Sequence, residues 1–234
     1  QEGPDCGGPF GPYAQSERLT LYRNAFDRLR ILGRVYPCRC SRRDVLRALQ
    51  APHEGDDEPV YPGTCRPRVV HAVRDAPSLS SPQGTLRDAA DRPEGVNWRF
   101  LVSDGEVVEF VDGCFGPQQF VAGRDFGDFV VWRHDGLPAY QLACAVDDSA
   151  MRITEVVRGA DLLTSTARQL LIYRALGIRP PMFFHCALVT DDQGVRLAKR
   201  HDALSLRTLR AQGTNPDTWQ RQWEELVGSF RFQS

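Results

Sequence analysis

Between Pro138 and Gln169 the chain reads PAYQLACAVDDSAMRITEVVRGADLLTSTARQ, and this stretch constrains the fold more than any other. An apolar run from Ala139 to Val146 closes on Asp147 and Asp148. A second, Ile153 to Val157, closes on Arg158-Gly159, and Thr164-Ser165-Thr166 then lead into an amphipathic segment. Buried strands of an α/β sheet deliver functional groups in this way, with the charged residue or Gly at the carboxyl edge. Two readings of Arg158 stand open at this point. Its planar fork suits a carboxylate or phosphate. It also suits a structural ion pair with Asp147 or Asp161, and spacing alone favours that pairing.

The remaining pattern fits around this stretch. Gln1 to Tyr13 is rich in Gly and Pro and reads as loop. Ser16 is placed to cap a helix running to about Leu32, with Leu19, Tyr22, Phe26 and Leu29 on one face and Gly33 at its end. Val35 to Cys38 is extended, and Ser41 with Asp44 forms a capping-box pattern for a second helix. Strands are expected over Asn97–Val102, Val107–Val111, Phe129–Arg133, Leu137–Val146 and Phe183–Val189. A helix is expected over Ser165–Leu176, ending at Gly177, and two short helices near Leu204–Leu226 are anchored by Trp219 and Trp223. This order predicts an α/β domain interrupted by an insertion. Its segments are a first half over residues 1–33, an inserted subdomain over 34–135, a second half over 136–195 and a loop with C-terminal helices over 196–234.

Charge and cysteine usage narrow the chemistry. The net charge is −1, so a nucleic-acid partner has to be met by a local basic patch. No apolar run is long enough to cross a bilayer and no leader pattern is present, so the expectation is a cytoplasmic protein with no membrane partner. Of 29 basic side chains only Lys199 is lysine, which points to a site where a compact ammonium is needed and Arg does not serve. The seven cysteines are odd in number, which disfavours a disulfide framework. Cys38-Arg39-Cys40 with Cys65 has the look of a metal knuckle, for which His53, His71 and Tyr61 are candidate fourth ligands; three free thiols are the competing reading. Cys114, Cys144 and Cys186 sit in apolar contexts and are expected as small core residues. Arg39–Arg43 and Cys65–Arg68 are basic enough to touch RNA phosphates or simply to form a solvated surface.

Six segments taken together resemble the glutamyl-tRNA synthetase lineage of class I: EGPDCGGPFGPYAQSERLTLYRNAFDRL, YPCRCSRRDV, YPGTCR, GLPAYQLACAVDD, ITEVVRGADLLTSTARQLLIYRALG and RLAKRHDA. Within it the chain is most similar to the short glutamyl-queuosine tRNA(Asp) synthetases, because it stops 35 residues after Lys199 instead of continuing into a large anticodon-binding region. The resemblance implies a Rossmann-type catalytic domain with an inserted zinc-bearing α+β subdomain and a short helical tail. It implies ATP-dependent activation of L-glutamate, with Mg2+ accompanying ATP. The glutamyl group then passes to queuosine in the anticodon loop of tRNA(Asp), by a protein acting as a monomer.

Residue by residue, the resemblance places glutamate on Tyr140 and Arg158, ATP phosphates and catalysis on Lys199, and Zn2+ on Cys38, Cys40, Tyr61 and Cys65. The lysine loop departs from the family pattern, with Arg196 and Ala198 in place of Lys and Ser. The family's first strand and His-Ile-Gly-His-type signature are expected upstream of Gln1, in about 60 residues. Residues 1–234 alone are therefore expected to show no glutamate-dependent ATP–pyrophosphate exchange. Two other readings remain: a catalytic fragment of a glutamyl-tRNA synthetase, and a non-enzymatic synthetase-like protein that binds RNA or a partner.

Overall fold

The computed structural model describes residues 2–41, 43–45, 60–67, 95–188, 206–211, 213, 215, 217 and 220–221. Gln1–Cys186 form one compact unit and Ala187–Ser234 a second. Helix α1, Leu19–Ile31, follows a 3-10 turn at Gln15–Glu17 and buries Tyr22, Phe26 and Leu29. These sit at the helical repeat on one face, as their spacing requires. Ser16 does not cap this helix. Its N-cap is Arg18, with no side-chain cap bond, because the 3-10 turn takes up the preceding residues. At the other end Gly33 adopts φ 65°, and Arg34 N–H and Gly33 N–H donate back to the carbonyls of Leu29 and Arg30. That geometry is a Schellman stop.

Two sheets follow. Strands β1 (Val35–Cys38), β2 (Asn97–Phe100) and β5 (Phe129–Trp132) form a three-stranded antiparallel sheet in the order β1-β2-β5. Strands β3 (Val107–Asp112), β4 (Gly116–Val121), β6 (Glu155–Gly159) and β7 (Met182–Cys186) form the second, in the order β4-β3-β7-β6. Its β3, β7 and β6 run parallel, and β4 closes one edge as an antiparallel hairpin with β3. This is a mixed α/β sheet with helices on it.

The expected strand over Leu137–Val146 is a helix, α2, spanning Tyr140–Ala150. Its apolar run is continuous because Leu142, Ala143, Ala145 and Val146 are all buried. Its stop is hidden because the left-handed position after the helix is Arg152, at φ 55°, where a Gly is usual. Helix α3, Leu163–Leu176, is buried along nearly its whole surface and ends at Gly177 with φ 66°. Phe26 stacks on Trp132 at 5.0 Å and meets Trp98 edge-on at 5.4 Å, so α1 packs on the small sheet. Leu142, Ile172, Leu176, Val108 and Phe183 carry the same core onto the larger sheet.

One buried ion pair fastens the glycine-rich N-terminal loop to α2. Arg18, 2% exposed, donates through Nε to Asp147 at 2.7 Å and through Nη1 to the carbonyls of Pro12 (2.6 Å) and Phe10 (3.3 Å). Asp147 also accepts from the Tyr22 hydroxyl at 2.8 Å and the Gln15 amide at 3.0 Å. Among the described residues of the second unit, Leu206–Ala211 form a short helix. The anchors Trp219 and Trp223 lie outside the described residues.

Candidate functional site

The parallel register pairs Arg158 with His185 and Gly159 with Cys186, so β6 and β7 end together at one edge of the sheet. The carboxyl edge is where such sheets bind ligands. Arg158 is half-buried there and is held on two of its three nitrogens. Its Nε donates to His185 Nε2 at 3.2 Å, and its Nη2 donates to Thr166 Oγ1 at 2.6 Å and Gln169 Oε1 at 2.9 Å. Its guanidinium also lies 5.6 Å from the Phe183 ring centroid. The proposed pair with Asp147 does not form, since Asp147 is bound by Arg18 and Tyr22.

Tyr140 is the first residue of α2, and Cys144 and Asp148 follow on the same helical face at successive turns. Tyr140 is 50% exposed. Its phenol is raised by burial and the Cys144 thiol, while the Arg158 guanidinium pulls it down. Arg158 is therefore close enough to act on the Tyr140 phenol, from a different element. Burial raises the Cys144 thiol, and it raises the Asp148 carboxyl too, with the Tyr173 hydroxyl and Arg158 opposing the latter. Tyr173 donates to Asp148 at 3.1 Å. The result is an edge with a cation, an exposed phenol and a carboxyl held by a buried phenol.

Behind Arg158 lies a network that the sequence reading missed. His185 is fully buried, and its Nδ1 is 2.6 Å from Asp112 Oδ2. Burial works to raise the Asp112 carboxyl, but the imidazole and the N–H groups of Phe115, Cys114 and His185 hold it below its ordinary value. The signal was present in the sequence: VVEFVDG is another apolar run closing on Asp and Gly, the pattern that singled out Arg158. Lys199, with Arg196 and Ala198, lies outside the described residues. The cysteines expected in the core are not there: Cys186 is exposed, and Cys114 and Cys144 are half-buried near the sheet edge.

The second cluster lies on the small sheet. The sulfurs of Cys38, Cys40 and Cys65 are all within 4.8 Å of one another. The Tyr61 hydroxyl is 3.4 Å from Cys38 Sγ, 3.5 Å from Cys40 Sγ, and accepts the Cys65 N–H at 2.8 Å. Tetrahedral zinc–thiolate bonds of about 2.3 Å put ligand sulfurs roughly 3.8 Å apart, so the donor set fits such an ion. Burial works against ionisation of Cys65, yet the Arg39 N–H and its neighbours Cys40 and Tyr61 bring its thiol down to about 7. Arg99, 8% exposed, donates to Cys38 Sγ at 3.3 Å and stacks 3.8 Å from the Tyr61 ring centroid. Among the candidate fourth ligands, His53 and His71 lie outside the described residues. Arg66, a candidate phosphate contact, is committed internally to Asp104, the Val102 carbonyl and Asp128.

Residues 4–221 match the family model of the class I tRNA synthetases (E and Q), catalytic domain. A glutamyl-Q tRNA(Asp) synthetase of Symbiobacterium thermophilum is 48% identical over 218 residues, which is 93% of this chain and 63% of that relative. A glutamate–tRNA ligase 1 of Halorhodospira halophila is 40% identical over 219 residues, 93% of this chain and 43% of the relative. The crystal structure of a glutamate-tRNA synthetase from Elizabethkingia anophelis has a TM-score of 0.63 at 27% identity, covering 86% of this chain and 39% of that one. The chain spans less than two thirds of the length of these curated relatives.

Proposed function

Because the chain belongs to the class I tRNA synthetase family of the E and Q type, we propose that its parent protein activates L-glutamate with ATP and transfers it to queuosine of tRNA(Asp). The observation that carries the reading is Arg158, held by His185, Thr166 and Gln169 at the carboxyl edge of the parallel strands and close enough to act on the Tyr140 phenol. In activation, a glutamate α-carboxylate oxygen forms a bond to the α-phosphorus of ATP, and the bond to the departing pyrophosphate breaks. Attack of an acceptor hydroxyl on the carbonyl carbon then displaces AMP. Arg158 supplies a fixed cation to a substrate carboxylate, and the Tyr140 hydroxyl a second donor.

Lys199 is assigned to the ATP phosphates, with Mg2+, where a point charge stabilises the charge that develops during attack. Cys38, Cys40, Cys65 and Tyr61 would hold Zn2+, whose part is to stabilise the fold around β1 and the Tyr61 loop. Arg99 is poised to offset the negative charge of that donor set. The domain reading carries over as 1–33, 34–135, 136–195 and 196–234, with β3 and β4 of the 34–135 stretch hydrogen-bonded into the sheet of β6 and β7. We take the protein to act as a monomer in the cytoplasm. Among the described residues no helix is long and apolar enough to cross a membrane.

The higher identity to the glutamyl-Q relative, 48% against 40% for the glutamate–tRNA ligase, supports queuosine over a terminal adenosine as acceptor. A catalytic fragment of a glutamate–tRNA ligase is the second reading, supported by that same 40% match. ATP–pyrophosphate exchange by the full-length gene product tests the first step. Exchange is expected with glutamate and not with glutamine, and Arg158→Ala is expected to abolish saturation by glutamate. Unchanged glutamate saturation in Arg158→Ala would overturn the assignment.

A further inference from the structure

We infer that His185, locked by Asp112, is the positioning residue that presents Arg158 to its ligand; this rests on Arg158 being the glutamate-carboxylate ligand. One proton pattern satisfies the contacts of His185, with the Thr166 hydroxyl free to donate to the Leu162 carbonyl. An ionised carboxylate only accepts, so His185 Nδ1, 2.6 Å from Asp112 Oδ2, carries the hydrogen. Nε2 is then the acceptor, and it meets Arg158 Nε at 3.2 Å, a group that only donates. Moving the proton to Nε2 would turn an N–H toward the Arg158 Nε–H, and its other neighbour, Thr166 Oγ1 at 3.0 Å, already accepts from Arg158 Nη2.

Asp112 cannot turn to relieve such a conflict. Its Oδ1 accepts the N–H groups of Cys114 and Phe115, each at 3.0 Å, and both oxygens lie 3.2 Å from the His185 N–H. The whole train is dry: His185, Thr166 and Gln169 are each 0% exposed and Asp112 is 2% exposed. With Nε given to His185 and Nη2 given to Thr166 and Gln169, the guanidinium plane is fixed, and Nη1 is the nitrogen left for a ligand oxygen among the described contacts. A fork held in this way loses little rotamer freedom when the ligand arrives. Substrate affinity is thereby set partly by a carboxylate on β3 that never touches the substrate.

The test is ATP–pyrophosphate exchange by the full-length gene product, with KM measured separately for glutamate and ATP. Asp112→Asn keeps the side chain's size but turns an N–H toward Nδ1, which forces the proton onto Nε2. It should raise the glutamate KM about tenfold or more, the loss of one charge-assisted hydrogen bond, and leave the ATP KM within about twofold. His185→Phe fills the volume without an acceptor and should do the same. His185→Gln can offer its amide oxygen where Nε2 stood and should return the glutamate KM to within about threefold of wild type.

Folded Asp112→Asn and His185→Phe proteins with wild-type glutamate KM would overturn the inference. So would glutamate and ATP KM values that rise together, or a His185→Gln protein as impaired as His185→Phe. Failure of all three variants to fold would assign the network to the scaffold and overturn it equally. Arg158→Lys separates the two levels. If it leaves the glutamate KM unchanged, the reading of Arg158 itself fails, whereas a raised KM there with unaffected Asp112 and His185 variants refutes the positioning role alone.

Discussion

Asp147 is the residue whose loss should cost the scaffold most. Its carboxylate is the counter-charge for Arg18, with side-chain exposures of 12% and 1%, so water screens the pair little. It also takes hydrogen bonds from Tyr22 and Gln15, so one side chain ties the N-terminal loop, α1 and α2 together. Removing one partner of a buried pair costs about 3–5 kcal/mol, because the other charge is left without compensation. Arg18 keeps the carbonyls of Phe10 and Pro12, which puts Asp147→Asn at the lower end, about 3 kcal/mol. For a domain of this size that is a fall in Tm of roughly 6–12 °C. Thermal melts of the full-length gene product followed by circular dichroism read it directly. The double variant Arg18→Met/Asp147→Leu should recover most of the loss, since a well-packed apolar pair replaces a buried ionic one at little cost. A drop below about 1 kcal/mol for Asp147→Asn, or a double variant as unstable as the sum of the singles, would refute the reasoning.

The metal cluster and the substrate edge make further predictions. In zinc-free protein, alkylation of Cys65 should increase as pH rises through about 7, where its thiol ionises, and zinc should suppress it. A rise only near the ordinary thiol range, no protection by zinc, or less than about half an equivalent of zinc in purified protein would count against the cluster. Asp148 is a carboxyl that burial raises in the folded state. Such a group contributes its full stability below the unfolded value of about 3.9 and loses it as pH rises through the folded value. Asp148→Asn should therefore raise Tm at pH 7, with a gain that shrinks as pH is lowered towards 4; a gain independent of pH would contradict this. The carboxyl's cost to the fold is consistent with its place in a substrate site.

Much of this architecture was legible in the sequence where local chemistry and tertiary packing agree. Gly33 and Gly177 ended their helices because each supplies the positive φ of a Schellman stop. Val35–Cys38 came out with the expected bounds, and Arg158 lies at the end of a strand as its Gly-flanked run required. The α2 segment was misread because the half-buried Cys144 joins its buried positions into one apolar run and Arg152 took the glycine's place. Strand β4 left no trace in GPQQFV: it is an edge strand, where Pro117 is tolerated and Pro117 and Gln119 face water. The cysteine cluster was visible as types and spacing, while the part of Arg99 depended on β2 lying beside β1, which no local pattern encodes. Asp112 closed a run like that of Arg158, but its meeting with His185 depends on the parallel pairing of β3 with β7, which lies outside any local pattern.

The central claim is the identity of the acceptor, and one measurement addresses it most directly. Full-length gene product is incubated with ATP, labelled glutamate and tRNA(Asp) prepared with or without queuosine, with tRNA(Glu) as comparison. The account predicts label on queuosine-bearing tRNA(Asp) alone. Label on tRNA(Glu), with none on tRNA(Asp) of either kind, would contradict it.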